Sequence, residues 1–411
     1  MTAPLPSGAP APLTRPAAAA VTFLPGGDWT SVPGVRVGIA GADIKGNKKL
    51  RDDVIILDAP GTAAAVITTS TAAAAPCRWT RARVPGPVRA VLVNAGNANA
   101  STGEQGARDT AASAERVAAL LGCTPAEVLV CSTGVIGVPM PMGRLLLGIE
   151  AAAGAFGTDG ARAARAILTT DLTPKSHAVQ DGEVIVGGMA KGSGMIDPNM
   201  ATMLGFLVTN AAVEAAHLQA LLAAVTAETF NAVSVDGCMS TNDTVILQAT
   251  GQGPVAAPGT PAWEALRRAV TAVAGALAED IARDGEGATT LLEVVVMGLD
   301  SDEAARAAAK SVVRSHLFKA AVLGRDPNWG RIVGALGAAG VPHLDRLDLD
   351  LGDVPVLRDG QPVPWDEAAA SAAMEPPVAR VTARLPGVGY GRALGCDLTA
   401  AYVSINADYR S

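Results

Sequence analysis

Short stretches in the first third of the chain alternate apolar and polar residues or run apolar throughout: Val54–Ala59, Ala63–Thr69, Val88–Asn94 and Val128–Ser132. Their alternation and β-branching predict strands. Longer stretches with apolar residues at helical spacing predict helices over Gln105–Leu121, Gly160–Thr169, Val213–Phe230, Ala262–Arg283 and Asp302–Val322. Ser101, with Glu104 three residues on, reads as a capping box opening the first of these, and Gly122 as its stop. Further strands are expected at Leu204–Thr209, Glu293–Met297, Leu347–Leu351, Ala379–Leu385 and Ala400–Asn406. The order is mixed and no fixed repeat stands out, which points to α/β layers around a mixed sheet.

Composition narrows the class. At 411 residues the chain exceeds the size at which one core keeps growing, so two layers or lobes are expected. Hydrophobic residues make up 49% but aromatics only 3%, so Val, Leu, Ile and Ala must fill the core. The net charge of −7 is spread along the chain, and no basic cluster interleaves with aromatics, which argues against nucleic acid as a partner. Residues 1–20 are rich in Pro and Ala with Arg15 as the single basic residue, and read as a mobile tail on a cytoplasmic protein. No apolar run reaches membrane-spanning length. Five cysteines at wide spacing fit reduced thiols, four separated histidines give no zinc pattern, and no GxSxG turn announces a serine hydrolase.

The least ordinary stretch is Gly187–Leu204, with four glycines, a lysine and a proline in its first twelve residues, leading into the apolar run Leu204–Thr209. Glycines there let the backbone bend and approach a bound group. Lys191 precedes Gly192 rather than following it, which excludes a Walker phosphate loop. Thr202 has a chemical opportunity. A threonine hydroxyl is a weak nucleophile without a base beside it. Cutting the peptide bond before Thr202 would create that base within the same residue, since an α-amine titrates near pH ~8. The same hydroxyl can first attack the carbonyl of small Ala201, giving an ester that water hydrolyses. By spacing alone, an ordinary turn before a strand is the commoner outcome.

The segment KGSGMIDPNMATML (191–204) is similar to the cleavage segment of the glutamate/ornithine N-acetyltransferases of arginine biosynthesis, the ArgJ family. Other blocks match the same family in the same order: NAGNANASTGEQG (94–106), CSTGVIG (131–137), TTD (169–171), TFNAVSVDG (229–237), STNDT (240–244), DGEGA (284–288), DPNWGRI (326–332) and CDLTAAYVSINADYRS (396–411). Before about residue 50 the match is loose. The resemblance implies a self-cleaving enzyme with an α chain ending at Ala201 and a β chain opening at Thr202, the nucleophile. It implies Thr133 and Gly134 as the oxyanion hole, and Thr170, Lys191, Thr202, Glu286, Asn406 and Ser411 as the substrate-binding set. Lys191 suits an α-carboxylate, and Glu286 the cationic ornithine side chain.

The expected reaction moves acetyl from N-acetylornithine to glutamate through a Thr202 ester, with no metal or prosthetic group. Some family members also accept acetyl-CoA. The expected fold is a layered α/β/β/α sandwich like that of N-terminal-nucleophile enzymes, with α and β chains assembled as α2β2. A self-cleaved hydrolase of aminopeptidase type and an uncleaved Gly-rich binding protein are the alternatives.

Within the other blocks, Asn94, Asn97 and Asn99 read as loop ties, DPNWGRI as a packed turn with Arg331 its one candidate for meeting an anion, and Gly387–Gly391 as a hairpin turn. Two positions depart from the family pattern: Asp197, five residues before the nucleophile, and Thr290, often lysine.

Overall fold

The computed structural model describes residues 21–48, 51–197 and 203–408; the N-terminal tail, Ala201, Thr202 and Ser411 lie outside them. Among the described residues the strands form two mixed sheets. The larger, ten-stranded sheet contains β1 (Thr22–Phe23), β2 (Arg36–Ala40), β3 (Val54–Ile67), β4 (Gly86–Asn97), β5 (Val128–Val135), β6 (Phe156–Gly157), β7 (Lys175–Asp181), β8 (Val184–Lys191), β9 (Leu204–Thr209) and β11 (Thr244–Ala249). The smaller has seven strands: β10 (Val233–Ser234), β12 (Leu291–Leu299), β13 (Asp348–Leu351), β14 (Val354–Arg358), β15 (Gln361–Pro362), β16 (Val378–Arg384) and β17 (Gly389–Cys396).

The long strand β3 organises the larger sheet. Two strands were expected here, separated by Pro60-Gly61; instead the chain continues through them with a register shift against β4 between Asp58 and Gly61. A Cβ at Gly61 would stand 2.0 Å from the Ala249 carbonyl oxygen, so only glycine lets β11 approach. The first part of β3 pairs with β2 and β4, the last part with β11, which continues to β9 and β8.

Side-chain alternation then builds three apolar layers. Ile55, Leu57, Val91, Val93 and Leu129 share one cluster with Phe206, Val208 and Ile246 from the other part of the sheet, so the curled sheet closes on itself. The opposite face of β3–β5 (Ile56, Leu92, Val130) packs against helices α2 (Gly103–Leu121) and α3 (Met142–Ala153). The opposite face of β8, β9 and β11 (Val186, Leu207, Val245) packs against α5 (Ala215–Glu228) and α6 (Pro261–Arg283). Helix, two sheet layers and helix follow in order, as expected. The smaller sheet buries Val294, Val296, Leu349 and Val381 with α7 (Asp302–Val313) and α8 (His316–Leu323) in a core of its own.

Several local expectations are corrected. Residues 302–322 form two helices, because Ser315 accepts a hydrogen bond from the Phe318 amide and caps a new one. Ser101 does not cap α2. It has φ +55°, Thr102 holds the cap position, and the Thr102 hydroxyl is taken by Asn99 at 2.7 Å. Gly122 does end α2, in the left-handed conformation. Ala400–Asn406 is a helix, Ala400–Asp408, because Thr399 Oγ1 accepts from the Tyr402 amide and closes a helical first turn. In DPNWGRI only Asp326–Asn328 turns; Trp329 opens a helix, and Arg331 donates to the Leu317 carbonyl. Gly387–Gly391 leads from β16 to β17, which flank β12 on opposite sides, so it is a crossing turn and not a hairpin.

Candidate active site

Strands β4 and β5 run parallel and end together, with Ala95 opposite Thr133 and Gly96 opposite Gly134. Gly134 has φ +134°, and a Cβ there would meet the Gly96 carbonyl carbon at 2.2 Å. The approach is possible only for glycine. The asparagine-rich loop after β4 holds this end rigid. Asn94 donates to the Asn97 carbonyl at 2.9 Å and accepts from Ser132 at 2.6 Å, and Asn97 accepts from the Asn99 amide at 2.8 Å. The expected loop ties are therefore present. Asn242, in the STNDT block, adds a clamp that the sequence did not single out: its side-chain amide donates to the Ala98 and Ser132 carbonyls at 2.7 and 2.9 Å.

Facing these, Lys191 ends β8 with its side chain only 3% exposed, its Nζ 3.7 Å from Asp171. Asp171 also meets Lys175 at 2.9 Å, and Lys175 meets Asp284 at 2.6 Å. Burial would raise the Asp171 carboxyl, but Lys191 and Lys175 outweigh it and hold the group at about 2. Two buried lysines therefore share two carboxylates, and Lys191 is the more loosely held. This ion cluster was missed in the sequence, although Asp171 lies in the TTD block and Asp284 in DGEGA.

Glu286 comes to the same place on the turn after α6. Its amide donates to the Ser193 carbonyl at 2.9 Å, and its carboxylate sits where any Cβ on Gly194 would be, 2.3 Å away. The last helix brings Asn406 across to donate to Glu286 Oε2 at 2.7 Å. Six of the expected residues, Thr133, Gly134, Thr170, Lys191, Glu286 and Asn406, thus line one cleft of about 90 Å3, together with Ser240, Thr241 and Asn242. Ala201, Thr202 and Ser411 lie outside the described residues, but Met203, bonded to Thr202, is described. Its amide donates to Asp243 Oδ1 at 2.9 Å and its carbonyl accepts from the Thr244 amide at 3.1 Å.

Asp197 is neutralised by Arg314 at 2.9 Å and Lys310 at 3.3 Å. This departure from the family pattern is thereby tied to α7. Among the described residues no group of His, Cys, Asp and Glu is arranged to hold a metal ion, and no helix is long and apolar enough to cross a membrane.

The sequence has relatives. The chain is 48% identical over 397 residues to the arginine biosynthesis bifunctional protein ArgJ of Symbiobacterium thermophilum, covering 94% of this chain and 99% of that one. It is 44% identical to the ArgJ of Thermosynechococcus vestitus, covering 93% and 98% of the two chains. The crystal structure of arginine biosynthesis bifunctional protein ArgJ from Bacillus halodurans is 42% identical, covers 51% of this chain and all of its own, and has a TM-score of 0.49. The ArgJ family model matches residues 36–411, which includes every cleft residue named above. The chain belongs to the ArgJ family.

Proposed function

We propose that this chain cuts itself before Thr202 and then carries an acetyl group from N-acetylornithine to glutamate on the Thr202 hydroxyl. The observation that carries this reading is the convergence of Thr133, Gly134, Lys191, Glu286 and Asn406 on one cleft. They come from distant parts of the sequence and supply the groups an acyl transfer between amino acids requires. The freed α-amine takes the hydroxyl proton as Thr202 Oγ attacks the acetyl carbonyl. The Thr133 hydroxyl and the Gly134 amide donate to the oxygen that becomes negative. Lys191 receives the α-carboxylate common to both substrates, and Glu286 with Asn406 receives the ornithine side chain.

Ornithine leaves with the proton, and an acetyl ester remains on Thr202. Glutamate enters against the same lysine and takes the acetyl, so one site serves both half-reactions. The relatives named as bifunctional are consistent with a second activity, for which acetyl-CoA as a second acyl donor is our reading. The two chains are expected to remain together, because the oxyanion donors lie before the cut and Glu286 and Asn406 after it; assembly as α2β2 is expected from the family resemblance.

Intact mass spectrometry before and after incubation with N-acetylornithine tests the reading. Two chains parting at Ala201–Thr202, with one acetyl added to the second, are expected, and Thr202→Ala should give a single inert chain. A Thr202→Ala protein that is still cut or active would sink the mechanism. Acetate released without any need for glutamate would favour a hydrolase.

A further inference from the structure

Most of the cleft lining is polar. Among the described residues that line it, Ala98, Ile136 and Met195 carry the wholly apolar side chains. Two of these three stand together. The Ala98 amide donates to the Val135 carbonyl at 3.0 Å, and the Gly137 amide donates to the Ala100 carbonyl at 3.0 Å. Ile136 is therefore held between two backbone hydrogen bonds to the asparagine-rich loop. It also packs against the core that contains Ala98 and Ala100, which are 2% and 0% exposed. Asn242 fixes the Ala98 carbonyl in turn at 2.7 Å. A wall tied at both edges and backed by close-packed side chains cannot retreat to admit extra atoms.

This wall adjoins the Thr133–Gly134 end of β5. Ile136 lies two residues beyond Gly134, and Ala98 is bonded to the carbonyl of Val135 between them. Met195 is placed differently: it follows Gly194, against which Glu286 is packed, and its amide donates to Asp236. In an acyl group whose carbonyl oxygen is bound by Thr133 and Gly134, the first carbon of the chain lies ~2.4 Å from that oxygen. We propose that Ile136, backed by Ala98, is the residue that sets acyl-chain length, receiving the acetyl methyl and excluding longer straight chains. This inference rests on the reading of Thr133 and Gly134 as the oxyanion hole.

The chemistry of transfer makes no such choice. N-acylornithine and glutamate give ornithine and N-acylglutamate whatever the chain, so length must be decided by fit. A methyl group against Ile136 and Ala98 leaves water favourably. Each further methylene needs volume that the wall already fills. The cleft then divides its work: Lys191, Glu286 and Asn406 read the amino acid, and Ile136 reads the acyl group.

The test measures kcat/KM for N-acetyl-, N-propionyl- and N-butyrylornithine with glutamate as acceptor, following each N-acylglutamate by mass spectrometry. Ratios between donors on one preparation do not depend on its folded fraction. Wild type should favour acetyl over butyryl by at least ~10-fold. Ile136→Ala should raise the butyryl-to-acetyl ratio ~10-fold or more, and Met195→Ala should leave that ratio where wild type has it. A wild type without preference, an unchanged ratio in Ile136→Ala, or a shift in Met195→Ala in its place overturns the proposal. Should Ile136→Ala fail to fold, the milder Ile136→Val decides: a raised propionyl-to-acetyl ratio supports the proposal, and an unchanged one overturns it. A wild type that forms no N-acetylglutamate defeats the proposed function itself and this inference with it, whereas an active wild type with unmoved ratios in the variants defeats the inference alone.

Discussion

Asn406 donates a 2.7 Å hydrogen bond to Glu286 Oε2 across 120 residues of sequence, joining the last helix of the chain to the turn after α6. Both residues line the cleft. If Glu286 receives the ornithine ammonium, its charge serves one of the two amino-acid substrates and not the other.

Glu286→Gln is therefore expected to raise KM for N-acetylornithine by roughly tenfold or more, since a hydrogen bond to a charged group contributes about 1.5–3 kcal/mol. KM for glutamate, whose side chain is anionic, should not rise with it. Steady-state kinetics with each substrate varied in turn checks the split. Equal losses for both would move Glu286 from substrate selection to scaffold.

The β4–β5 end, the proposed oxyanion hole, offers a steric test. Gly134→Ala forces a methyl group into the space of the Gly96 backbone at a positive φ. The β4–β5 ends must separate, costing at least ~2 kcal/mol of stability. The Gly134 amide should move off the oxyanion position, with a loss of ~100-fold or more in kcat. Thermal melts and single-turnover acetylation of the enzyme measure the two effects.

The buried Asp171 predicts an acid transition. Its folded pKa of about 2 lies below the ordinary value of 3.8, so the stabilisation is complete above pH 4 and is lost as pH falls from about 4 towards 2. A shift of this size corresponds to about 2 kcal/mol. Denaturant melts at pH 7 and pH 3 should show this dependence in wild type. Asp171→Asn should flatten it while destabilising the protein at pH 7 by roughly 3 kcal/mol or more, because Lys191 and Lys175 lose a charge partner.

Patterning made much of the layering legible because apolar, β-branched runs mark β3, β4 and β9 as strands, and successive residues of each reach different cores; β11, as apolar as β9, was not foreseen. The motif blocks likewise identified six residues that meet in one cleft. What they could not convey was the partnership between blocks. Nothing in the sequence pairs Lys191 with Asp171, or Asp284 with Lys175 from β7, until the fold brings them together. Helix Ala400–Asp408 was missed for a local reason: Val403 and Ile405 suggest a strand, whereas the cap that decides the outcome is Thr399, outside that window. The break at Ser315 was hidden in the same way, since apolar spacing continues across a cap.

Asn242 is the sharpest case of a residue whose importance is invisible in sequence but calculable from its contacts. Its one amide group holds the Ala98 carbonyl in the asparagine-rich loop and the Ser132 carbonyl next to Thr133. It thereby fastens β11 to the strand end that would supply the oxyanion hole. Asn242→Ala leaves two buried carbonyls without this donor, a loss of about 1–3 kcal/mol for each that finds no other partner. Asn242→Asp is expected to be worse, because a carboxylate replaces the donor and faces both carbonyl oxygens. Because the Asn242 amide is spent on the Ala98 carbonyl and on the Ser132 carbonyl next to Thr133, Asn242→Ala should lower kcat ~10-fold or more with little change in KM for either substrate. Kinetics on the folded fraction at a temperature well below its melt separate this from simple unfolding. A variant that loses stability but retains wild-type kcat would show that Thr133 holds its place without the clamp.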